Sequence, residues 1–119
     1  DPYGYSWTGL LFAFNTDEIS YSCRYERETR TLGLWRINQD PAWEPLTTVQ
    51  ITTPVNESQW RKMHVFFDGS DVFCVYFDET GQYAVTNISG ADVASDMSGF
   101  AGIRVYNENT VFTSFVVYE

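Results

Sequence analysis

Short runs rich in apolar residues, each of which a strand with a period of two divides between two faces, are the feature that most restricts the fold of this chain. In one segment Phe73, Val75 and Phe77 fall on one side of an extended strand, and the residues between them fall on the other. No window of a dozen residues has apolar positions three and four apart with a helix cap at its start. The pattern therefore predicts an all-β protein.

Turn residues separate the apolar runs and indicate how many strands there are. Residues 68–71 (DGSD) and 79–81 (ETG) each join two such runs, as in antiparallel hairpins. The nine predicted strands span residues 9–15, 19–27, 31–38, 47–53, 60–67, 71–78, 83–88, 99–106 and 110–118. There is room for a helical turn at residues 41–44 and 91–96. Nine short strands in 119 residues predict one two-sheet antiparallel sandwich domain.

The composition narrows the range of partners. Sixteen acidic residues against seven basic ones give a net charge of −9, which repels the phosphate backbone of nucleic acids. This charge fits a neutral partner such as a glycan, and it is equally typical of proteins that only need to be soluble. No run approaches the roughly 18 apolar residues that would span a bilayer, so membrane insertion is not expected.

Cys23 and Cys74 lie inside predicted strands and far apart in sequence, which argues against a zinc site. They form either one disulfide or two buried thiols, and the sequence leaves both alternatives open. Asn56-Glu57-Ser58 and Asn87-Ile88-Ser89 fit the pattern of N-glycosylation acceptors, a pattern too common to decide the compartment.

The order of several segments resembles that of concanavalin A-like sugar-binding domains over about residues 9–117. The segments are GLLFAF (9–14), YSCRY (21–25), LGLWR (32–36), QWRKMHV (59–65), VYFD (75–78) and GFAGIRVYN (99–107). The closest resemblance within that superfamily is to family 66 carbohydrate-binding modules, which accompany fructan-degrading glycoside hydrolases. Laminin-G-like domains share the motif. The resemblance implies a jelly-roll sandwich that is secreted or displayed at the cell surface.

The resemblance also bears on domain organisation. Family members usually open with one or two further N-terminal strands, whereas only residues 1–8 precede the first strand predicted here. The chain also begins at Asp1 without an initiator Met. Residues 1–119 are therefore expected to form a single domain that lacks an N-terminal strand or was excised from a larger protein.

The titratable residues give little support to an enzyme. The one histidine, His64, lies in the middle of a predicted strand, where a place on the sheet face is the more common role. Carboxylates such as Asp68 and Asp71 cluster in turns, where the Asp side chain commonly accepts hydrogen bonds from the backbone. Nothing in the sequence indicates the spacing that glycoside hydrolysis requires of two carboxylates. No catalytic role is expected of this domain by itself, although its parent protein could be a glycoside hydrolase.

The sequence establishes no cofactor, and calcium is the ion for which it offers ligands. Oxygen ligands could come from two turns, which are also explained as ordinary solvated turns. These turns contain Asn15, Asp17 and Glu18, and Asn107, Glu108 and Asn109.

The candidate ligand-binding residues are aromatic rings and arginines. A ring stacks on the apolar face of a sugar, and the planar guanidinium can grip neighbouring hydroxyls with two hydrogen bonds. Arg104 and Tyr106 share a face of one strand, Tyr21 and Tyr25 share a face of another, and Trp35 and Arg36 end a third. The alternative for each of them is packing: Trp35 in the core, and Arg104 paired with an acid across the sheet.

Three functions remain as hypotheses. The first is a noncatalytic carbohydrate-binding module that tethers a glycoside hydrolase to a poly- or oligosaccharide, with fructan implied by the resemblance. The second is a laminin-G-like protein-interaction or adhesion domain, with or without a requirement for calcium. The third is a purely structural sandwich within a larger hydrolase.

Overall fold

The computed structural model describes residues 7–14, 20–37, 43–51, 60–79, 81, 83–89, 100–106, 112 and 114–116. All the regular structure in these ranges is β-strand, which confirms the all-β prediction. The strands are β1 (Trp7–Phe14), β2 (Ser20–Glu26), β3 (Thr31–Ile37), β4 (Trp43–Gln50), β5 (Lys62–Phe67), β6 (Asp71–Phe77), β7 (Tyr83–Ser89) and β8 (Phe100–Tyr106). The same ranges contain no helix that is long and apolar enough to cross a membrane.

The strands form two sheets that pack face to face. The larger has the order β4-β3-β2-β1-β8 and the smaller has the order β5-β6-β7. Every pairing in both sheets is antiparallel. Across the interior, β3 contacts β6 and β7, β4 contacts β7, and β1 and β2 contact β5. This arrangement confirms a two-sheet sandwich.

Seven strands lie within two residues of their predicted bounds, and β4 is the exception. The prediction began it at residue 47 and left residues 41–44 for a helical turn, but Trp43 and Glu44 already belong to the strand. The cause is Pro45, which interrupts the sequence pattern of a strand because it lacks an N–H. The structure accommodates Pro45 at a register shift between Leu34 and Trp35, on an edge of the sheet.

The ninth predicted strand is the other difference. Residue 112 and residues 114–116 are described and belong to no strand. The rest of the predicted strand 110–118 and the predicted turn at 91–96 lie outside the described residues.

The core lies between the sheets and takes alternate residues from each. On β6 the buried set is Val72, Cys74 and Tyr76, and on β2 it is Tyr21, Cys23 and Tyr25. Cys23 and Cys74 form a disulfide that ties the two sheets together at their centre, with 5.4 Å between the Cα atoms. The structure thereby settles the alternative between a bridge and two thiols.

Candidate functional site

The larger sheet places the described members of the predicted ligand-binding set on both of its sides. Trp35 and Arg36 are consecutive in β3, so their side chains leave opposite faces of the sheet. In the pairing of β2 with β3, Arg36 is opposite Tyr21, on the side that faces the disulfide, whereas Trp35 is opposite Ser22 on the outer side. These six residues therefore do not form one surface.

Tyr21 and Tyr25 are core residues, and this corrects the expectation that their rings are presented to a ligand. Tyr21 is 3% exposed and stacks on Phe12, and Tyr25 is 4% exposed and stacks on Tyr76. The two tyrosines do share a face, as predicted. That face is the interior one, because Cys23 between them bonds to the opposite sheet.

Arg36 lies at the end of the same inner side and is held by a carboxylate. Its Nε donates to Glu44 Oε2 over 3.1 Å, and its Nη2 donates to the same oxygen over 2.5 Å. The hydrogen bond to Glu44, supported by the negative charge of that carboxylate, raises the pKa of Arg36 above its usual value. A sugar hydroxyl would have to compete with Glu44 for this guanidinium.

Trp35 takes part in a buried stack on the outer face of the larger sheet. The guanidinium carbon of Arg24 lies 3.6 Å from the Trp35 ring centre and 4.7 Å from that of Trp7. Arg24 and Trp7 are fully buried, and Trp35 is 6% exposed. Arg24 also pairs with the buried carboxylate of Glu26. Trp35 was expected to be exposed at a ligand surface. It is instead packed in a buried cluster with Arg24 and Trp7.

Two glycines make room for this cluster. Gly9, Arg24 and Gly33 are aligned across β1, β2 and β3. A Cβ atom on Gly33 would lie 2.8 Å from Trp35 Nε1, and one on Gly9 would lie 3.1 Å from Trp7 Cζ3. The sequence shows these glycines and the arginine far apart, so only the strand register brings them together.

The backbone positions of Arg104 and Tyr106 continue this arrangement onto β8. Arg104 is aligned with Gly9, and Tyr106 with Trp7. Three strand spacings, roughly 14 Å, separate β8 from β3 and hence these positions from Trp35. The placement of the Arg104 and Tyr106 side chains, and with it their part in the predicted site, lies outside the described residues.

The outer side of the smaller sheet carries an open surface, in which only Val75 among the described side chains is buried. We call it the aromatic face. Its described side chains come from all three strands: Lys62, His64 and Phe66 from β5, Phe73, Val75 and Phe77 from β6, and Val85 and Asn87 from β7.

Rings are paired on the aromatic face and reach solvent. Phe66 and Phe73 stack with 4.9 Å between ring centres and 14° between planes. His64 meets Phe77 edge-on, at 5.4 Å and 63°. Phe66 is 49% exposed, and His64 and Val85 are exposed as well. Four paired rings on one partly exposed sheet face can stack on a weakly polar partner.

Polar groups border these rings. Lys62 and Asn87 are exposed on the outer two strands. Asn87 Nδ2 donates to Asp71 Oδ2 over 2.8 Å, which fixes an amide and a carboxylate next to the Phe66–Phe73 stack. The border thus offers both hydrogen-bond donors and acceptors to a ligand lying on the rings.

Sequence reasoning placed these residues on common faces but did not select them. Alternation grouped Phe73 with Val75 and Phe77, and His64 with Phe66, as the structure confirms. The same alternation grouped Val72, Cys74 and Tyr76 equally well. The missing information was which set faces the other sheet, and the signal for it was Cys74, because its disulfide marks the interior side.

The turn carboxylates that were considered for catalysis bind the backbone and an amide. Asp68 Oδ1 accepts hydrogen bonds from the N–H groups of Asp71 and Ser70, each over 2.8 Å, and these bonds lower the pKa of Asp68. Within the described residues no group of three or more His, Cys, Asp or Glu could hold a metal ion. The turns considered for calcium, with Asn15, Asp17 and Glu18 and with Asn107, Glu108 and Asn109, lie outside those residues.

Comparison of the chain with models of protein families, with curated proteins and with solved structures finds no match.

Proposed function

We propose that this protein is a noncatalytic carbohydrate-binding module that holds a neutral poly- or oligosaccharide on its aromatic face. The observation that carries the proposal is the Phe66–Phe73 stack, which lies exposed on an open sheet with polar side chains beside it. We infer a jelly-roll sandwich of the concanavalin-like kind from the two antiparallel sheets together with the resemblance of the sequence.

The chemistry of a sugar matches this surface. The C–H groups of a sugar ring form an apolar face that packs on an aromatic ring, and the hydroxyls at its rim need donors and acceptors. Phe66 and Phe73 supply the rings, and Lys62, Asn87 and Asp71 supply the polar groups. The net charge of −9 favours a neutral glycan over an acidic one.

The disulfide supports a secreted or cell-surface location, because such bonds persist in oxidising compartments. Fructan is the first ligand to test, and a glycoside hydrolase is the expected partner domain, since the family 66 modules that the sequence resembles accompany enzymes of that kind.

The test is binding to a panel of neutral and acidic polysaccharides, measured by affinity electrophoresis and calorimetry. We expect binding to a neutral glycan, weakened about tenfold or more by Phe66→Ala, which removes a stacking ring. Phe67→Ala is the matched control: Phe67 is the next residue of the same strand and is 47% exposed, but it belongs to the opposite side of the sheet. The proposal fails if no glycan binds, or if the two variants bind equally.

A second candidate, a protein-interaction domain of the laminin-G-like type, is favoured by the apolar share of the same face. Phe66 on β5 and Val85 on β7 are both exposed, and the residues of β6 that lie between them, Phe73 and Val75, are uncharged. An exposed apolar patch of this kind is also typical of protein interfaces. Glycan-independent binding to an extracellular protein, lost on chelation of calcium and in Phe66→Ala, would favour this candidate.

A further inference from the structure

We propose that Asn87 is an N-glycosylation site whose first sugar covers the Phe66–Phe73 stack and thereby regulates access to the aromatic face. The starting point is the acceptor pattern Asn87-Ile88-Ser89, in which Ile occupies the middle position, where proline would block modification. Because this pattern is common, the proposal depends mainly on where the structure places Asn87.

Asn87 lies where an attached sugar would meet the rings. It is exposed on β7 and aligned with Phe73, which is aligned in turn with Phe66 on β5. The three residues form a row across the sheet in which neighbouring strands are roughly 4.8 Å apart. A sugar ring has about this width, so the first residue of a glycan on Asn87 can lie directly on Phe73.

The hydrogen bond to Asp71 draws the amide of Asn87 across the sheet toward the neighbouring strand β6. Asn87 Nδ2 donates to Asp71 Oδ2 over 2.8 Å, which draws the amide nitrogen from β7 toward β6, the strand that carries Phe73. A glycosylated asparagine keeps one N–H hydrogen, so this bond can persist after modification. Asp71 would then hold the glycan at its point of attachment.

The chemistry is ordinary transfer from an oligosaccharide carried on a polyprenyl pyrophosphate. Asn87 Nδ2 forms a bond to the anomeric carbon of the first sugar and gives up one proton. The bond from that carbon to the pyrophosphate oxygen breaks, and the lipid pyrophosphate leaves with its electrons. Nothing is oxidised or reduced. The reaction takes place in the secretory pathway, where the Cys23–Cys74 disulfide would also form.

A tethered sugar would compete with any free glycan for the same rings. A group attached next to its site acts at an effective concentration of about millimolar. The tethered sugar would weaken the binding of a free glycan by about the ratio of this effective concentration to the dissociation constant of the tethered sugar for the rings, which is about tenfold if that constant is about 0.1 mM. This regulatory part rests on the proposed function, whereas the modification itself does not.

The first test measures occupancy. The full chain is secreted from a eukaryotic cell line with Asn56→Gln as background, so that Asn87 is the remaining acceptor pattern. We expect intact mass and peptide mapping to show a glycan on Asn87 in this protein and in Ser89→Thr, and none in Ser89→Ala. An unmodified Asn87 in both the background protein and Ser89→Thr overturns the proposal.

The second test asks whether the sugar lies on the rings. After trimming to one sugar, the modified protein is compared with Ser89→Ala, which keeps the Asn87 amide. We expect the sugar to raise the melting temperature by about 4 °C, and by much less when Phe66→Ala and Phe73→Ala are both present. An equal shift in the two backgrounds overturns the covering of the stack.

The third test separates this inference from the proposed function. If the Ser89→Ala protein binds a neutral glycan, the modified protein should bind it about tenfold more weakly. Equal binding overturns the regulatory part. If neither form binds any glycan, the proposed function fails, while the mass and melting results still decide whether Asn87 is modified and where its sugar lies.

Discussion

The guanidinium carbon of Arg24 lies over the Trp35 ring, 3.6 Å from the ring centre, and the side chain is completely buried on the outer side of the larger sheet. Glu26, two residues along the same strand, neutralises its charge. A buried charge is tolerated because it is both paired and stacked, and each contact supports the other. The cluster therefore stabilises the larger sheet, and removing one of its members should measurably lower the free energy of unfolding.

Arg24→Ala should lower the free energy of unfolding by about 3 to 5 kcal/mol, because it leaves the Glu26 carboxylate buried without its cation. Urea denaturation measures the change. Arg27→Ala is the control: Arg27 is exposed, its ion pair with Glu28 spans 4.0 Å, and its removal should cost less than about 1 kcal/mol. Equal losses in the two variants would show that the cluster contributes nothing beyond an ordinary surface arginine.

Gly33→Ala should destabilise the protein by about 1 to 3 kcal/mol, because the new methyl group would lie 2.8 Å from Trp35 Nε1 and displace that ring. Gly102→Ala provides the comparison within the same sheet, since a Cβ there meets no atom of the described residues within 4 Å. We expect Gly102→Ala to be close to neutral in thermal denaturation. A neutral Gly33→Ala would mean that the ring is not held over the glycine.

Replacing both Cys23 and Cys74 with alanine should cost about 4 kcal/mol, because the disulfide closes a loop with a sequence separation of 51 residues and restricts the unfolded chain. Guanidinium denaturation of the double variant, and of the wild type with reductant, measures the loss. The two preparations should agree approximately, since both remove the same covalent constraint. A loss under about 1 kcal/mol in the double variant would contradict this prediction.

The hairpin between β5 and β6 should weaken in acid because of Asp68. Hydrogen bonds from the N–H groups of Asp71 and Ser70 lower the pKa of Asp68 in the folded protein. The stabilisation is thus complete above the ordinary Asp pKa of about 3.9 and is lost as the pH falls through the lower folded value.

Titration of the Asp68 carboxyl carbon by NMR tests this directly, and the midpoint should lie below the ordinary value. The difference in unfolding free energy between the wild type and Asp68→Asn should also shrink from about pH 6 to about pH 2, because the asparagine does not ionise. A midpoint at or above the ordinary value would show that the turn does not bind the carboxylate.

Some of the candidate site could be predicted from the sequence and some could not. Alternation correctly grouped Phe73 with Phe77, and Tyr21 with Tyr25, because side-chain direction in a strand depends only on position. It could not say that Tyr21 and Tyr25 face the core, since tyrosine is common both inside proteins and on their surfaces. The tyrosines were therefore wrongly expected at a ligand surface.

The order of strands could not be predicted either. Trp35 was expected to present its ring beside an arginine, and it does lie against one, but that arginine is Arg24 and both are buried. Nothing local marks Arg24 for this role. Its place between Gly9 and Gly33 follows from pairings of β2 with β1 and β3, and these pairings depend on contacts distant in sequence.

The sequence by itself determined that this chain forms antiparallel strands, where most of them lie, and which residues share a face, because these properties follow from the period of two and from turn chemistry. The tertiary structure decided which face is covered, which arginine is buried and which rings remain in solvent. A strand has two geometrically equivalent faces, and only packing against a second sheet, with Cys23 bonded to Cys74, makes one of them the interior.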